Sequence, residues 1–462
     1  MKIVEPVVRP LVRVSTPMPE LDAWAVLARL GGEASGFWAR GERWIAYSGA
    51  LLELSSPSEG VPAGDRYHGV RERARDLAES FDSRDGWGGS DLPPPRLFGG
   101  FSFREDHQSN GVWGHFPSAH FILPRVEVEG GPEGARVVLQ EISASERGVD
   151  DLHERLHRQL EDLARELRTT SFTGGIPREG PVAPALTSHA SDGRARWEEV
   201  VAEVLEAIGE GSLSKVVLAR SRELTDLGAV GPLEAVQRLR RDYGRSHVFC
   251  FQPHPASAFV GAAPETLVAL NRRRFRSTAV AGSVSRGRSR EDDRERGRSL
   301  LNSSKDRWEH SVTVEEMVRV LRPLLDELEV DPEPHLLRLP RIQHLETRLA
   351  GWASPETHVL DLVSALHPTP AVCGLPRDSA LEFIHRREPV ERGWYAGPVG
   401  WFDLKGDGVF APALRSAVRS GGVWRLFAGA GLVQGSVPEG EWEETALKFQ
   451  PMLRALGVGT EG

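Results

Sequence analysis

The sequence is poor in cysteine, with only Cys250 and Cys373 among 462 residues. Two cysteines are too few for a disulfide framework, and they do not have the spacing of a metal-binding motif. Each lies inside an apolar run. We therefore expect both to be small buried side chains of a protein in a reducing compartment.

Long hydrophobic runs are also absent. No stretch approaches the roughly 18 apolar residues of a membrane span, and Pro6 and Pro10 interrupt the N-terminus where a signal peptide would be continuously apolar. The formal net charge is −9, so no overall positive field favours nucleic acid or an anionic membrane. These absences predict a cytoplasmic protein that binds neither partner.

The pattern of apolar residues predicts an α/β protein of the α+β kind. Many short β-rich segments, such as 214–224 and 275–284, are interleaved with amphipathic helices, such as 150–168 and 305–328. This arrangement favours antiparallel sheets over regular βαβ winding. The segment 169–193 is rich in Gly, Pro, Ser and Thr and is the best candidate boundary. It divides the chain into an N-terminal half, 1–190, and a C-terminal half, 191–462.

Two predicted helices carry acidic residues three positions apart. Asp306 and Glu309 share one face of the first helix, and Glu441 and Glu444 share one face of the last. Either pair alone is more often a solvated helix face. If the two helices face each other, however, their carboxylates would form an all-oxygen site suited to Mg²⁺, which commonly bridges an anionic substrate.

Two further residues are candidates for acid–base chemistry. Lys215 opens a β-rich segment after a Gly-Ser turn; it could be an edge residue that prevents aggregation, or an inward-pointing base. Glu265 follows Pro264 in a turn between two apolar strands, where a partly buried carboxyl group could keep its proton and act as an acid. The sequence leaves both alternatives open for Lys215.

Three glycines and one arginine could hold a small anion. The backbone at Gly282, Gly429 and Gly431 could approach an anion closely and donate N–H groups to it. Arg415 alternates with apolar neighbours on a predicted strand and could bind a carboxylate in bidentate fashion. From the residues alone, the sequence favours an Mg²⁺ enzyme that acts on a small carboxylate.

Nine ordered segments resemble those of the chorismate-utilising enzymes, which include anthranilate, aminodeoxychorismate, isochorismate and salicylate synthases. The segments are SKVVLAR, FVGAAPETL, STAVAGSVSRG, KDRWEHSVTVEEM, QHLETRLAG, LHPTPAVCGLPR, GWYAGPVGWFD, ALRSAV and AGAGLVQGSVPEGEWEETALK. They span roughly residues 195 to 455, and RLFGGFSF with FILPR resembles the N-terminal half of the same fold. The resemblance implies two large antiparallel β-sheets packed as a sandwich with helices outside, an active site in a cleft, and one structural domain.

The resemblance also implies roles for individual residues. Glu309 and Glu444 match direct Mg²⁺ ligands, and Asp306 and Glu441 match ligands or holders of metal-bound water. The remaining matches line or bind the substrate, chorismate. They are the backbone at Gly282, Ser283, Gly429, Ala430 and Gly431, the side chains of His344, Tyr395 and Arg415, and Ala371 in the loop HPTPAVCG.

Two positions indicate the subclass. Relatives that add ammonia have glutamine where this chain has Lys215; a lysine there fits a base that activates water for attack at C2, with Glu265 protonating the departing C4 hydroxyl. Relatives that use ammonia or form salicylate tend to have threonine at Ala371, and alanine resembles the isochorismate synthases. The expected product is isochorismate, and the expected pathway is menaquinone biosynthesis. We expect the protein to be a monomer and to need no amidotransferase subunit. The alternatives are a salicylate synthase, a siderophore-pathway isochorismate synthase, and a silent binding homologue, which is disfavoured because no acid, base or metal residue is missing.

Overall fold

The computed structural model describes residues 9–32, 34–56, 65–81, 92–144, 148–170, 190–225 and 230–458. These residues form 19 β-strands and ten α-helices. Most of the predicted boundary segment, 169–193, lies outside the described residues, so the division into two halves stays a prediction.

The strands occur in the following order. They are β1 (Leu11–Met18), β2 (Ser35–Arg40), β3 (Arg43–Ser55), β4 (Arg96–Phe101), β5 (Ala119–Gly131), β6 (Gly134–Ile142), β7 (Lys215–Leu224), β8 (His247–His254), β9 (Ser257–Ala263), β10 (Val268–Asn271), β11 (Arg274–Ser285), β12 (Leu325–Val330), β13 (His335–Arg338), β14 (Ile342–Ala353), β15 (Gly374–Leu375), β16 (Pro398–Asp403), β17 (Gly408–Pro412), β18 (Ser416–Ser420) and β19 (Val423–Leu432).

The helices alternate with groups of these strands. They are α1 (Ala23–Leu30), α2 (Asp65–Ser80), α3 (Val149–Thr169), α4 (Ala190–Gly209), α5 (Pro232–Tyr243), α6 (Arg290–Asn302), α7 (Ser304–Leu321), α8 (Val359–Leu366), α9 (Arg377–Arg387) and α10 (Pro438–Ala455). None of the helices in the described part of the chain is long and apolar enough to cross a membrane.

The strands form one antiparallel network whose two arms diverge at the long strand β5, which pairs with β3, β4 and β6. Strand β5 pairs with β4 through its first residues and with β6 through its last ones. One arm of the network runs β1-β6-β5-β3-β2-β8-β9-β18-β19-β7-β15. The other runs β5-β4-β16-β17-β10-β11-β14, with β12 and β13 both paired to β14.

The two arms pack face to face, as expected for a sandwich. Phe249, Phe259 and Phe427 of the first arm share a buried cluster with Val399 and Ala411 of the second. On the outer face of the first arm, α1, α3, α5 and α10 pack against β2, β6, β8 and β19. On the outer face of the second arm, α2, α7 and α8 pack against β4, β10 and β11. The period-2 alternation of each strand divides its side chains between these layers.

Helix α7 ends earlier than its sequence pattern predicts. The apolar periodicity predicts a helix over 305–328, but the helix ends at Leu321 and Leu325–Val330 is strand β12, which pairs with β14. Pro323 explains the difference, because proline disfavours helical geometry in the residue before it and has no N–H to donate. The prediction of helix beyond Leu321 is therefore wrong.

Candidate active site

A cleft is lined by residues of helices α7 and α10 and of strands β11 and β19, among others. All of the predicted site residues line it except Lys215 and Ala430. Those that line it are Glu265, Gly282, Ser283, Asp306, Glu309, His344, Ala371, Tyr395, Arg415, Gly429, Gly431, Glu441 and Glu444.

The two exceptions have different explanations. Ala430 lies between Gly429 and Gly431 on β19, so strand alternation turns its side chain to the opposite face, where it is fully buried. The side chain of Lys215 is 1% exposed, and its Nζ lies 2.9 Å from Oε1 of Glu309, which does line the cleft. Lys215 is therefore buried behind Glu309 and contacts the cleft through that residue.

Lys215 points inward and is not an edge residue. Its strand, β7, pairs with β19 on one side and with β15 on the other, where Leu375 lies opposite Lys215. Although the ammonium is close to Glu309, no group in the described part of the chain accepts a hydrogen bond from it with suitable geometry. The nitrogen is therefore a buried polar atom that could bind a water molecule or a substrate oxygen.

Glu265 is a buried carboxyl group with a strongly altered acidity. Burial, reinforced by the nearby Glu346, raises its pKa to about 8, although Lys215 and Arg415 act in the opposite direction. Its Oε1 has no hydrogen-bond partner among the described residues. At neutral pH this side chain is protonated and can donate a proton into the cleft.

Three of the four predicted metal-binding carboxylates face a lysine. Besides the contact between Lys215 and Glu309, Lys305 Nζ lies 3.4 Å from Glu441 Oε1, and Lys448 Nζ lies 2.6 Å from Glu444 Oε1. In the described part of the chain, no three His, Cys, Asp or Glu side chains are arranged so that they could hold a metal ion by themselves. Mg²⁺, however, is usually bound through one or two carboxylates together with waters and substrate oxygens, so the donor set still fits this metal.

We call the carboxylates of Asp306, Glu309, Glu441 and Glu444 the acidic wall. Neighbouring carboxylates in this wall repel each other. Burial and the neighbouring Glu309 raise the pKa of Asp306, and burial and the neighbouring Glu444 raise the pKa of Glu441. Burial acts the same way on Glu444, but the ammonium of Lys448 outweighs it and holds that pKa below its usual value. A cation at this wall would relieve the repulsion between these carboxylates.

Two glycines let helix α7 approach the sheet, and a serine contacts α10. Gly282 has φ +74° at an irregularity of β11, and a Cβ added there would lie 3.2 Å from Asp306 Cβ. A Cβ added at Gly431 would lie 2.7 Å from Glu309 Oε1. Next to Gly282, the hydroxyl of Ser283 donates to Glu444 Oε1 at 2.8 Å. The small residues thus bring both acidic helices close to the floor of the cleft.

Arg415 and His344 form a part of the cleft that can bind a carboxylate. Arg415 is buried, has φ +49°, and its Nη2 lies 2.8 Å from Nε2 of His344. Burial and Arg415 lower the pKa of His344 well below its usual value, so the neutral ring accepts from Arg415 and donates through Nδ1 to the carbonyl of Gly282 at 3.3 Å. Nη1 of Arg415 has no partner among the described residues and can bind a ligand.

Tyr395 completes this part of the cleft. Its ring stacks on Phe427 at 5.1 Å, with 15° between the ring planes, and burial raises its pKa, so the phenol keeps its proton. A Cβ at Gly429 would lie 3.1 Å from the tyrosine oxygen, so the glycine leaves room for that hydroxyl. Ala371 lines the cleft nearby with its neighbour Val372.

Three basic residues of the cleft were missed by the sequence reasoning. They are Lys305, Lys448 and Arg392. Lys448 lies four residues after Glu444 and donates to the carbonyl of Gly429 at 2.9 Å; this i,i+4 spacing was visible in the sequence. Arg392 likewise lies four residues after its partner Glu388, but its bonds to the carbonyls of Val217 and Val372, which are distant in sequence, cannot be read from the local pattern.

Comparison with known proteins identifies similar sequences and a similar fold. A salicylate-biosynthesis isochorismate synthase of Pseudomonas aeruginosa is 37% identical over 369 residues, covering 79% of this chain and 75% of that protein. The isochorismate synthase MenF of Bacillus subtilis is 34% identical over 363 residues, again covering 79% of this chain and 75% of that protein. The structure of MenF, the menaquinone-specific isochorismate synthase from Escherichia coli, aligns with a TM-score of 0.77 at 27% identity, covering 98% of this chain and 95% of that one.

The match also extends to a model of a whole protein family. The model described as chorismate binding enzyme matches residues 5–457. That range includes every predicted site residue and both arms of the sheet. Since the match spans nearly the full sequence, and the fold and the relatives agree with it, the chain belongs to the chorismate binding enzyme family.

Proposed function

We propose that this protein is an isochorismate synthase, which converts chorismate to isochorismate by adding water at C2 of the ring and releasing the C4 hydroxyl. The observation that carries the proposal is the pairing of a buried lysine side chain with a buried protonated carboxyl group at one cleft. Lys215 Nζ has no hydrogen bond within the described residues, and Glu265 has a pKa of about 8. The two groups supply the base and the acid of the reaction.

The proton that Lys215 accepts in this reaction is balanced by the proton that Glu265 donates. The step requires the neutral amine of Lys215, which accepts a proton from water as the water oxygen forms its bond to C2. The ring double bonds shift, and the bond between C4 and its hydroxyl oxygen breaks. Glu265 gives its proton to that oxygen, which leaves as water. Because water enters and water leaves, the enzyme needs a base and an acid but no oxidant or reductant.

The remaining cleft residues bind and orient the substrate. Nη1 of Arg415, which has no partner among the described residues, and the hydroxyl of Tyr395 would bind a carboxylate of chorismate. His344 holds the guanidinium of Arg415 through its neutral ring. Holding the ring in one orientation places C2 and C4 before the base and the acid, which is a large part of what such a site contributes to rate.

We propose Mg²⁺ as the cofactor, with Glu309 and Glu444 as its ligands and Asp306 and Glu441 beside them. When bound, Mg²⁺ would hold the ring carboxylate of chorismate and offset its negative charge. The support for this proposal is the chemistry of the donor set, since four carboxylates from α7 and α10 line one wall of the cleft. Removing the metal with EDTA is expected to abolish turnover, and added Mg²⁺ should restore it.

The second candidate is a salicylate synthase, which would go on to eliminate pyruvate from isochorismate. Lys215 fits both activities. Ala371, which lines the cleft where salicylate-forming relatives tend to have threonine, favours retention of the enolpyruvyl group. We therefore propose that the reaction stops at isochorismate.

One product assay distinguishes these activities. The protein is incubated with chorismate and Mg²⁺, and the products are separated and identified by mass and absorbance. We expect isochorismate, formed reversibly, without stoichiometric pyruvate. Salicylate with equimolar pyruvate would refute the proposed product, and unchanged chorismate would refute the proposed function.

We further propose that the product is used for menaquinone. The support is that the chain aligns over 98% of its length with a menaquinone-specific enzyme, whereas the alignment with a relative named for salicylate biosynthesis covers 79% of the chain. Deleting the gene should deplete menaquinone; a loss of salicylate or catechol siderophores alone would favour the alternative pathway. Cytoplasmic location, a monomeric state and independence from an amidotransferase subunit remain predictions.

A further inference from the structure

The strand that carries Lys215 has one incompletely paired edge. Strand β19 pairs with one edge of β7 from Val216 to Leu224, whereas the short strand β15 covers the other edge only at Lys215 and Val216. Beyond that point the N–H of Val217 still donates to the carbonyl of Cys373 at 2.7 Å. The next groups along this edge need other partners.

A buried ion pair takes the place of the missing strand. Nη2 of Arg392 donates to the carbonyl of Val217 at 2.7 Å, and the N–H of Ala219 donates to Oε2 of Glu388 at 2.7 Å. The two side chains bond each other in bidentate fashion, with both distances 2.6 Å. They are 3% and 1% exposed, so water does not compete for these bonds.

Arg392 also holds two other walls of the cleft. Its Nη1 donates to the carbonyl of Val372 at 2.8 Å, in the loop that carries Ala371. Its own carbonyl accepts from the N–H of Tyr395 at 2.9 Å. Its guanidinium stacks on the ring of Phe103, 4.2 Å from the ring centre. The guanidinium thus connects the strand of Lys215 to the loop of Ala371, and the backbone carbonyl of the same residue holds the turn of Tyr395.

A buried ion pair of this kind is a poor way to gain stability. The cost of removing both charges from water offsets much of their attraction, and an apolar pair of the same size often supports a fold equally well. What an apolar pair cannot supply is two directed N–H bonds to carbonyls on separate segments. The value of Arg392 therefore lies in the relative placement of the segments that it joins.

We propose that Arg392 is a positioning residue that sets the distance between the base on β7 and the substrate-contacting loop at Ala371. The inference rests on the proposed function, since its effect is measured as isochorismate formation. Displacing a reacting group by about 1 Å can cost on the order of 100-fold in rate. Loss of the hydrogen bonds from Arg392 to Val217 and Val372 should therefore lower kcat.

The test compares two matched substitutions. Arg392→Lys keeps the charge for Glu388, but a single ammonium cannot reproduce the planar fork to Val217 and Val372. The control, Arg96→Lys, changes an arginine whose side chain is only 11% exposed, is paired with Glu127 at 2.6 Å and is stacked on Trp401. Arg96 does not line the cleft. We expect Arg392→Lys to lower kcat by about 10-fold or more, and Arg96→Lys to leave kcat and KM unchanged.

Two further measurements separate positioning from folding. The double variant Glu388→Gln/Arg392→Met leaves no unpaired buried charge and should fold, yet lose kcat as Arg392→Lys does. Hydrogen exchange in the peptides 214–220 and 369–376 should accelerate in both Arg392 variants and not in Arg96→Lys. Variants with kcat, KM and exchange equal to wild type would overturn the role of Arg392. A wild-type protein that forms no isochorismate would instead refute the proposed function. Hydrogen exchange in the two peptides would still show whether Arg392 holds their segments together.

Discussion

The ammonium nitrogen of Lys215 lies 2.9 Å from Oε1 of Glu309, although the first residue opens strand β7 and the second lies on helix α7. The predicted base and a predicted metal ligand therefore share one ion pair. A cation bound at Glu309 would compete with the lysine for the same carboxylate, which connects metal binding to the availability of the base. Gly431 of β19 lies against both side chains and sets the space that they share.

Replacing Lys215 by alanine should abolish turnover without abolishing binding. A general base contributes on the order of 10²–10⁴-fold to rate, so Lys215→Ala should lower kcat by that amount. Mg²⁺ should bind as tightly as before or more tightly, because Glu309 loses its competing ammonium. Product assays give the first quantity, and isothermal titration calorimetry gives the second.

The matched control for this variant is Lys305→Ala. Lys305 also faces a glutamate of the acidic wall, Glu441, but its side chain is 42% exposed and the contact is longer, at 3.4 Å. We expect a much smaller loss of kcat from this substitution. Full activity in Lys215→Ala, or an equal loss in both variants, would remove Lys215 from the mechanism.

The four carboxylates of the acidic wall could be predicted from the sequence, because each pair lies three residues apart on one helix. Residues three apart share a helix face, so Asp306 and Glu309 on α7, and Glu441 and Glu444 on α10, were placed correctly on their helices. The interleaving of short β-rich segments with helices likewise predicted antiparallel sheets. These features depend on neighbours within a few residues, and the nine family-like segments identified which of them belong to one cleft.

Features that depend on distant segments could not be predicted from pattern. Whether Lys215 points inward depends on β15 and β19, which are far away in sequence and cover both edges of its strand. The role of Arg392 depends on carbonyls of Val217 and Val372 for the same reason. The end of α7 was misplaced because apolar periodicity outweighed the signal of Pro323.

The acidity of Glu265 predicts an alkaline limit to activity. The reaction needs this carboxyl group protonated, and its pKa in the free enzyme is about 8. The profile of kcat/KM against pH reports groups of the free enzyme, so kcat/KM should fall as pH rises through about 8. Steady-state rates from pH 6 to 10 test this directly.

A second variant checks that Glu265 is the group responsible. Glu346 raises the pKa of Glu265, so Glu346→Gln should move the alkaline limit to lower pH. An alkaline limit that does not move, or a kcat/KM that stays level up to pH 10, would contradict the assignment of Glu265 as the acid.

Glu265 should also make stability depend on pH. Its pKa rises from 4.5 to about 8 on folding, so the folded state binds the proton more tightly. The stability that this proton contributes is fully present below pH 4.5 and is lost progressively up to about pH 8. Glu265→Gln carries no titratable group there, so its free energy of unfolding should exceed that of wild type increasingly as pH rises, although the variant is inactive.

Urea unfolding at pH 5, 7 and 9 measures this difference. The control is Glu382→Gln, which neutralises a glutamate whose side chain is 66% exposed and should show no such trend. A difference between Glu265→Gln and wild type that stays constant across the three pH values would show that Glu265 is already ionised in the folded protein.

A single methyl group at Gly431 should disturb the base and the acidic wall together. The added Cβ would lie 2.7 Å from Oε1 of Glu309 and 3.4 Å from Cε of Lys215, so the glutamate must move. Because catalytic groups displaced by about 1 Å can lose on the order of 100-fold in rate, we expect Gly431→Ala to lower kcat by about 10-fold or more and to weaken Mg²⁺ binding.

Gly440→Ala is the matched control: it lies near the start of α10 with no atom within 4 Å of the added Cβ, so activity should be kept and the helix slightly stabilised. Normal kcat and normal Mg²⁺ affinity in Gly431→Ala would mean that Glu309 does not need its present position.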